Sequence, residues 1–308
     1  MSVLVTNNYL QYLGGSETFT YTLVKEIQRR EGDVDVFTFH RSDIFKELPF
    51  VTKLKEEYDI IFVNHNTCLK HVIKHTKGFK FLTCHGTVPD LEQPVEGADH
   101  YVSISEEVQA HLRSKGFEST IIRNGVDCER FKPIKPINKE CKNVFCLCQG
   151  TEATENIREA CKRLGLNFFN IDGKDFPIGH NNKKSYFNVE EYMNKADIVF
   201  TLGRGAYESM ACGRNVIVYD SRGYMGSMAD GIITPETIND MLETNCSGRR
   251  FGYKYKVDDI IEEIKKYKSE YGEFNRAFAL EHLNVRKQLD KYIRIFNKNL
   301  AKSVGLEV

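Results

Sequence analysis

The 308-residue sequence lacks a charge excess of either sign, a long hydrophobic run and a basic N-terminal start. Its 43 lysines and arginines balance 43 aspartates and glutamates, so overall charge favours neither nucleic acid nor an anionic membrane as a partner. No segment approaches the ~18 apolar residues of a membrane span, and residues 1–6 do not begin as a signal peptide does. We therefore expect a cytoplasmic globular protein, long enough for two domains of ordinary size.

The sequence also lacks the patterns of a disulfide framework or a common metal site. Its nine cysteines are an odd number, and no C-x2-C pair or histidine pair at zinc-finger spacing accompanies them. His71 and His75 have the i, i+4 spacing of a metalloprotease pair but lack the adjacent glutamate. We expect buried free thiols and a solvated helix face that carries the two histidines.

Short apolar runs alternate with amphipathic segments along the chain. Ser16 and Ser105 are placed to cap two of the helices. The sequence predicts strands at residues 3–5, 34–39, 60–63, 79–84, 101–104, 120–122, 144–148 and 167–171, and later helices at 152–164, 257–267 and 277–297. Strands that are separated by helices and short glycine turns predict an α/β fold with a doubly wound parallel sheet.

Residues 196–220 predict a compact strand, turn, helix and strand. Apolar residues 198–200 precede Gly203-Arg204-Gly205, and residues 206–212 predict a short helix that Gly213 ends before a strand at 215–219. A glycine-rich turn after a parallel strand lets backbone N–H groups face an anion, and Arg204 adds a fixed positive charge. Glu208 can accept hydrogen bonds from the vicinal hydroxyls of a ribose. Alternatively, Glu208 is a solvated helix residue and the glycines only shape a turn.

The string Glu208-Ser-Met-Ala-Cys-Gly213 resembles the donor-site segment of retaining glycosyltransferases with the GT-B fold (glycosyltransferase family 4-like). In that family, the second acid of an E-x7-E motif is followed by Ala-Met-Ala-x-Gly. Glu208 takes the place of that acid, but Phe200 stands where the first acid is expected. The resemblance implies an α/β, GT-B fold with two Rossmann-like doubly wound domains facing a central cleft.

Two segments in the first half add to the resemblance. Gly14-Gly15-Ser16-Glu17 resembles the family's Gly-Gly loop, which faces the donor diphosphate, although an ordinary tight turn with a helix cap has the same pattern. His85 follows a predicted strand, where the family has a histidine near the reacting sugar. His65 also follows a strand end and is a weaker candidate, because a capping or structural histidine fits that place equally well.

Asn124-Gly-Val-Asp127, followed by Phe131-Lys-Pro133, resembles the segment that closes the family's first domain. We expect an acceptor domain at residues 1–132, a nucleotide-sugar donor domain at 133–283 and a C-terminal helix at 284–308 that crosses back to the first domain. The family's Gly-Arg and Lys-Gly pairs that bind the donor phosphates are absent, and Gln149-Gly150-Thr151 follows the first strand of the second half. Either Arg204 and the Gly-Gly loop replace them, or the donor differs.

The resemblance implies a glycosyltransferase that moves a sugar, with retention, from a UDP- or GDP-sugar to a hydroxyl acceptor without a metal. The acceptor stays open among a glycan, a lipid, a small molecule, a protein and a nucleic-acid base. His85 and Glu208 are the expected catalytic residues, and the expected donor and diphosphate site comprises Gly14, Gly15, Gly203, Arg204, Gly205, Glu208 and Ser209. The alternatives are a nucleotide-sugar 2-epimerase of the same fold and a non-catalytic module that binds a nucleotide or a partner.

Overall fold

The computed structural model describes residues 1–170, 188–222 and 226–303. The chain divides into two compact units. Unit 1 comprises Met1–Asp127 together with Val285–Val308, and unit 2 comprises Cys128–Asn284. No helix within the described ranges is long and apolar enough to cross a bilayer.

Unit 1 contains a six-stranded sheet in which every pair of neighbours is parallel. Its strands lie in the order β2-β1-β3-β4-β5-β6. They are β1 (Ser2–Leu10), β2 (Asp33–Arg41), β3 (Glu57–Asn64), β4 (Lys77–Cys84), β5 (His100–Ser103) and β6 (Ser119–Ile121). The chain steps from β1 to β2 and then back past β1 to β3, so the sheet is doubly wound, and its topological switch point lies between β1 and β3.

The helices of unit 1 are α1 (Gly15–Arg29), α2 (Asn66–His75), α3 (Glu106–Ser114) and α10 (Val285–Ser303), with 3-10 turns at Asp43–Phe45 and Asp90–Glu92. Ser105 caps α3 as predicted, because its hydroxyl accepts from the Val108 amide at 3.3 Å. The predicted cap at Ser16 is wrong. Helix α1 starts two residues earlier than that cap implies, with Gly14 as its cap, and the Ser16 hydroxyl donates to Glu17 Oε2 at 3.0 Å.

Helix α10 is held to α1 and to the sheet by charge and by aromatic packing. Arg30 donates to Asp290 at 2.6 Å and to the Arg286 carbonyl at 2.9 Å. Tyr292 is 1% exposed, packs edge-on against Phe62 and Phe81 and lies 3.1 Å from the Thr83 hydroxyl. The C-terminal segment therefore completes the core of unit 1.

Unit 2 contains a five-stranded sheet in the order β11-β10-β9-β7-β8. The strands are β7 (Asn143–Cys146), β8 (Asn167–Asn170), β9 (Ile198–Thr201), β10 (Asn215–Arg222) and β11 (Gly226–Ile232). Four of them are parallel, and β11 joins β10 in the antiparallel sense. The step from β8 across β7 to β9 makes this sheet doubly wound too, with its switch point between β7 and β9. Both sheets confirm the predicted α/β fold. Residue 171 of the predicted strand 167–171 lies outside the described residues.

The helices described in unit 2 are α4 (Thr151–Leu164), α5 (Val189–Met193), α6 (Arg204–Ala211), α7 (Ile238–Glu243), α8 (Val257–Lys265) and α9 (Ser269–Phe278). A π-helical turn, Ala279–Leu283, continues α9. The single helix predicted at 277–297 is wrong: Asn284 leaves the helical conformation, with φ −63° and ψ 126°. The Val285 amide then donates to the Val126 carbonyl at 2.9 Å, and α10 begins as a separate helix.

We predict that Tyr292→Ala destabilises unit 1 by ~3–5 kcal/mol, because it removes a fully buried aromatic ring from the contact between α10 and the sheet. Leu300→Ala is the matched control on the same helix, since Leu300 is 52% exposed and its truncation costs ~0.5 kcal/mol or less. Urea unfolding followed by tyrosine fluorescence measures both. Equal stabilities for the two variants would show that α10 does not contribute to the core in this way.

Candidate functional site

The turn between β9 and α6 lies at the carboxyl end of the sheet, beside the switch point of unit 2. Gly203 has φ +54° and ψ −124°, a conformation that is readily available only to glycine. Its amide donates to the Cys246 carbonyl at 2.8 Å. A Cβ on Gly205 would come within 2.3 Å of Thr201 Oγ1, so this glycine lets the start of α6 pack directly on the end of β9. The predicted glycines therefore place the first turn of α6 at the edge where α/β sheets bind ligands.

Glu208 and Arg204 form a buried ion pair on α6. Arg204 Nε lies 2.8 Å from Glu208 Oε1, and the two side chains are 7% and 11% exposed. Burial raises the pKa of Glu208, and the charges of Arg204 and Arg130 oppose that rise. Glu208 is therefore not a solvated helix residue. Ser209 is fully buried, and its hydroxyl donates to the Gly205 carbonyl at 2.8 Å, so Ser209 stabilises the helix from within.

The segment between β7 and α4 has no basic residue, and a carboxylate of the chain itself accepts hydrogen bonds from its backbone amides. The amides of Gln149 and Gly150 donate to Asp220 Oδ1 at 3.2 and 3.0 Å, and Arg222 Nε donates to Asp220 Oδ2 at 2.9 Å. Asp220 is 2% exposed and lies near the end of β10. Sequence reasoning missed this residue, although an acid that follows a buried apolar strand was a usable signal. Asp220 takes the place at these amides that an external anion would need.

The Gly14-Gly15 turn of unit 1 lies at the carboxyl end of β1 and starts α1. A Cβ on Gly14 would come within 2.4 Å of Glu17 Oε2, whereas a Cβ on Gly15 would meet nothing within 4 Å. Burial raises the pKa of Glu17. The Thr18 amide donates to the Gly14 carbonyl at 3.0 Å and closes the first turn of the helix. The turn is therefore packed on one side, at Gly14, and open at Gly15.

His85 follows the last residue of β4, and its ring is held in a defined orientation. Its Nε2 lies 2.8 Å from Asn64 Oδ1, and the Phe19 ring packs edge-on at a centroid distance of 4.9 Å. Asn64 Nδ2 donates to the Thr6 carbonyl at 2.9 Å and to the Thr20 hydroxyl at 3.3 Å. These two bonds make Asn64 Oδ1 the acceptor, so His85 Nε2 carries the proton and a neutral ring has its lone pair on Nδ1. Sequence reasoning did not select Asn64, which orients the ring.

His65 has a structural role in unit 1. It is 5% exposed and caps the start of α2 with φ +78°, an unusual conformation for a residue with a side chain. The Asn8 amide donates to His65 Nδ1 at 3.2 Å. Burial lowers the pKa of His65 to about 4, so its ring is neutral at pH 7.

The structure therefore places the predicted residues in two groups. Gly203, Arg204, Gly205, Glu208 and Ser209 lie together on the β9–α6 segment of unit 2. Gly14, Gly15 and His85 lie at the carboxyl ends of β1 and β4 in unit 1, on the two strands that flank β3. Within the ranges that the structure describes, no three His, Cys, Asp or Glu side chains form a cluster that could hold a metal ion.

We predict that the buried neutral His65 makes unit 1 sensitive to acid. In the unfolded chain His65 binds a proton with its ordinary pKa near 6.5. In the folded protein its pKa is about 4, so the folded form binds that proton only at a lower pH. The stability of unit 1 should fall by up to ~3 kcal/mol between pH 7 and pH 4 because of this group. His65→Asn keeps an acceptor near the Nδ1 position and should reduce that slope in urea unfolding series. His75→Asn, at an exposed histidine, is the control, and equal slopes in both variants would contradict the assignment.

The chain matches no protein-family model and no curated protein. Solved structures match it over nearly its whole length. An alpha-glucosyltransferase in complex with UDP and a 13-mer DNA is 13% identical with a TM-score of 0.61, and the match covers 97% of this chain and 100% of that one. AviGT4, a glycosyltransferase of avilamycin A biosynthesis, is 12% identical with a TM-score of 0.55 and 98% coverage of both chains.

The catalytic domain of starch synthase IV from Arabidopsis thaliana, bound to ADP and acarbose, is 10% identical with a TM-score of 0.56, and the match covers 97% of this chain and 99% of that one. These identities are low, and the likeness is one of fold. The chain therefore has the fold of the GT-B glycosyltransferases.

Proposed function

We propose that the protein is a glycosyltransferase that moves a sugar, with retention, from a nucleotide-sugar to a hydroxyl acceptor. The observation that carries the proposal is the buried Arg204–Glu208 pair on the helix that follows the Gly203 turn. The GT-B fold supports it, because two of the matched structures hold UDP or ADP. Fold alone does not define an activity, and it is the chemistry of these two side chains that favours a nucleotide-sugar as the ligand.

In the proposal, Glu208 holds the donor ribose. An ionised carboxylate accepts two hydrogen bonds from vicinal hydroxyls, whereas a protonated one loses acceptor capacity. Arg204 stabilises the ionised form from a distance of 2.8 Å. Burial of the pair makes each hydrogen bond to the ribose stronger than it would be in water.

Arg204 also serves the donor diphosphate in this proposal. Its guanidinium is a fixed positive charge held 2.8 Å from Glu208 Oε1 at the start of α6. A guanidinium fork matches the geometry of phosphate oxygens, so the same residue that neutralises the ribose-binding carboxylate would attract the diphosphate. The start of α6, with Gly203 and Gly205, adds the positive end of the helix dipole. In unit 1, we propose that the amides of Gly14 and Gly15, at the start of α1, bind phosphate oxygens of a donor.

His85 is proposed to position the reacting sugar. A retaining transfer through an oxocarbenium-like transition state has little need of a classical base at the outset. Asn64 fixes Nε2 of the ring at 2.8 Å and so holds the imidazole in one orientation at the carboxyl end of β4. UDP- and GDP-sugars are the first donors to examine, and the ADP-bound starch synthase adds ADP-sugars to that set.

Release of free nucleoside diphosphate from UDP-, GDP- and ADP-sugars, with and without hydroxyl acceptors, tests the activity. A glycosyltransferase releases it only when an acceptor is present. A 2-epimerase converts the donor without an acceptor, and a binding module releases none. Either of the last two results, obtained with protein that binds the nucleotide, would overturn the proposal.

We predict that Glu208→Ala weakens binding of nucleoside and nucleoside diphosphate alike, by ~1.5–3 kcal/mol, because both ligands lose the ribose hydrogen bonds.

Arg204→Ala should weaken nucleoside diphosphate binding more than nucleoside binding, since only the diphosphate presents oxygens to the guanidinium. Calorimetric titration measures each pair of ligands. Arg163→Ala, at an exposed ion pair on α4, is the control. Equal losses for both ligands in Arg204→Ala would remove Arg204 from the phosphate site.

For His85 we predict an effect on turnover rather than on nucleotide affinity. His85→Ala should lower kcat by at least about a hundredfold, the low end for a positioned catalytic group. Nucleoside diphosphate affinity should stay within a few-fold of wild type. His111→Ala, at another half-buried histidine of unit 1, should leave kcat unchanged. Full turnover in folded His85→Ala would show that the histidine only supports Asn64.

A further inference from the structure

A second ion pair lies close to the Arg204–Glu208 pair in unit 2. Arg130 donates from Nε to Glu190 Oε1 at 3.1 Å and from Nη2 to Glu190 Oε2 at 2.9 Å. The guanidinium also stacks over the Phe131 ring at 5.0 Å. The side chains of Arg130 and Glu190 are 26% and 17% exposed. A bidentate, stacked and half-buried guanidinium has a fixed position, unlike a surface arginine.

Glu190 lies on α5, which packs directly against α6, the helix that carries Glu208. The two charges act on Glu208 in opposite directions. Arg130 lowers the pKa of Glu208, and Glu190 raises it. Arg130 thus opposes the effect of burial from outside α6, as Arg204 does from within α6.

Other charged or titratable groups surround the same helix. Arg204 and the buried thiol of Cys212 lie on or directly after α6, and Arg276 of α9 donates to the Ala211 carbonyl at 2.8 Å. The π-helical turn that packs on α6 carries Glu281 and His282. Among the described residues, the charges of Arg204, Arg130 and Glu190 act on the Glu208 carboxylate. Arg130 and Glu190 therefore form a pair outside α6 whose removal changes the electrostatics of Glu208.

We propose that Arg130 and Glu190 are positioning residues for the donor nucleotide, which act through Glu208 because their ion pair is anchored on α5, the helix that packs against α6. The proposal rests on the ribose-binding role of Glu208. Arg130 supplies the charge that keeps the carboxylate ionised, and Glu190 fixes Arg130 in place while limiting its effect. Neither residue needs to touch the ligand.

The pH dependence of nucleoside diphosphate binding tests this arrangement. Because an ionised Glu208 accepts the ribose hydroxyls, affinity should fall as the pH drops through the pKa of this group. Arg130→Gln removes the stabilising charge and should move the midpoint of that fall upward by about one pH unit. Glu190→Gln removes the opposing charge but keeps a side-chain oxygen that accepts from Arg130, so it should move the midpoint downward. Arg130→Lys, which keeps the charge, should return it to within a few tenths of a unit of wild type.

The opposite signs separate this role from a structural one. If the ion pair only stabilises unit 2, both variants lose affinity together and their midpoints move in the same direction or not at all, and that result would overturn the inference. Arg163→Gln and Glu159→Gln form the matched control at an exposed pair on α4, and their midpoints should equal that of wild type. Thermal unfolding at each pH shows whether each variant is folded. If Arg130→Gln does not fold, the direction in which Glu190→Gln moves the affinity midpoint tests the inference.

Failure of the underlying function gives a different result. If Glu208→Gln binds nucleoside diphosphate as well as wild type at every pH, the ribose assignment of Glu208 is wrong. If Glu208→Gln loses affinity and the pH dependence but the Arg130 and Glu190 variants show no shift, only the positioning role is wrong.

Discussion

The candidate site depends on the cost of burying a charge. Glu208 and Arg204 are both less than one-eighth exposed, and removing either one would leave the other charge buried beside a packed sheet without its ion-pair partner. Breaking a buried pair by removing one partner costs ~3–5 kcal/mol, whereas replacing both partners with apolar groups is often neutral. A chain that needed only stability at this position could have used apolar residues. Two charges at the start of a helix, at the carboxyl edge of the sheet, therefore support the proposed role in binding a donor.

The backbone makes this arrangement possible. Gly203 turns the chain with a positive φ, and Gly205 lets the first turn of α6 approach Thr201 closely. The neighbouring helix start, at Gln149 and Gly150, is bound instead by Asp220. Of the two helix starts beside the switch point, one is thus bound by an internal carboxylate and the other carries the arginine. Because Asp220 already occupies the backbone amides after β7, basic residues that would bind phosphates there have no site. This fits the absence of the Gly-Arg and Lys-Gly pairs from the sequence.

Much of the fold could be predicted from the sequence because apolar runs and helix caps are local signals. The alternation of strand and helix and the cap at Ser105 were predicted correctly. Strand β11, in contrast, was missed, because Gly226–Ile232 carries two glycines and an aspartate and has little β-propensity of its own. Only pairing with β10 makes it a strand. The break at Asn284 was missed because the helical pattern continues through it, and the bond from Val285 to Val126 decides the conformation.

The site shows the same limit. Glycine spacing and the acid at Glu208 were visible in the sequence, since they belong to one short segment. The partners that define their chemistry were not, because they come from distant positions. Glu190 meets Arg130 across sixty residues of sequence, and Asp220 meets Gly150 across seventy. Asn64, which orients His85, is likewise a polar residue at a strand end that has no distinguishing pattern. Such pairings are set by topology, which sequence periodicity does not encode.

The central claim, that the start of α6 binds the donor nucleotide, is tested most directly by hydrogen–deuterium exchange of the wild-type protein with and without saturating UDP, GDP or ADP. We expect one of these nucleotides to slow amide exchange within residues 203–211 more than anywhere else in unit 2. We expect little change at residues 149–152, where Asp220 already binds the amides of Gln149 and Gly150. Protection centred on residues 149–152, with none at 203–211, would contradict the account.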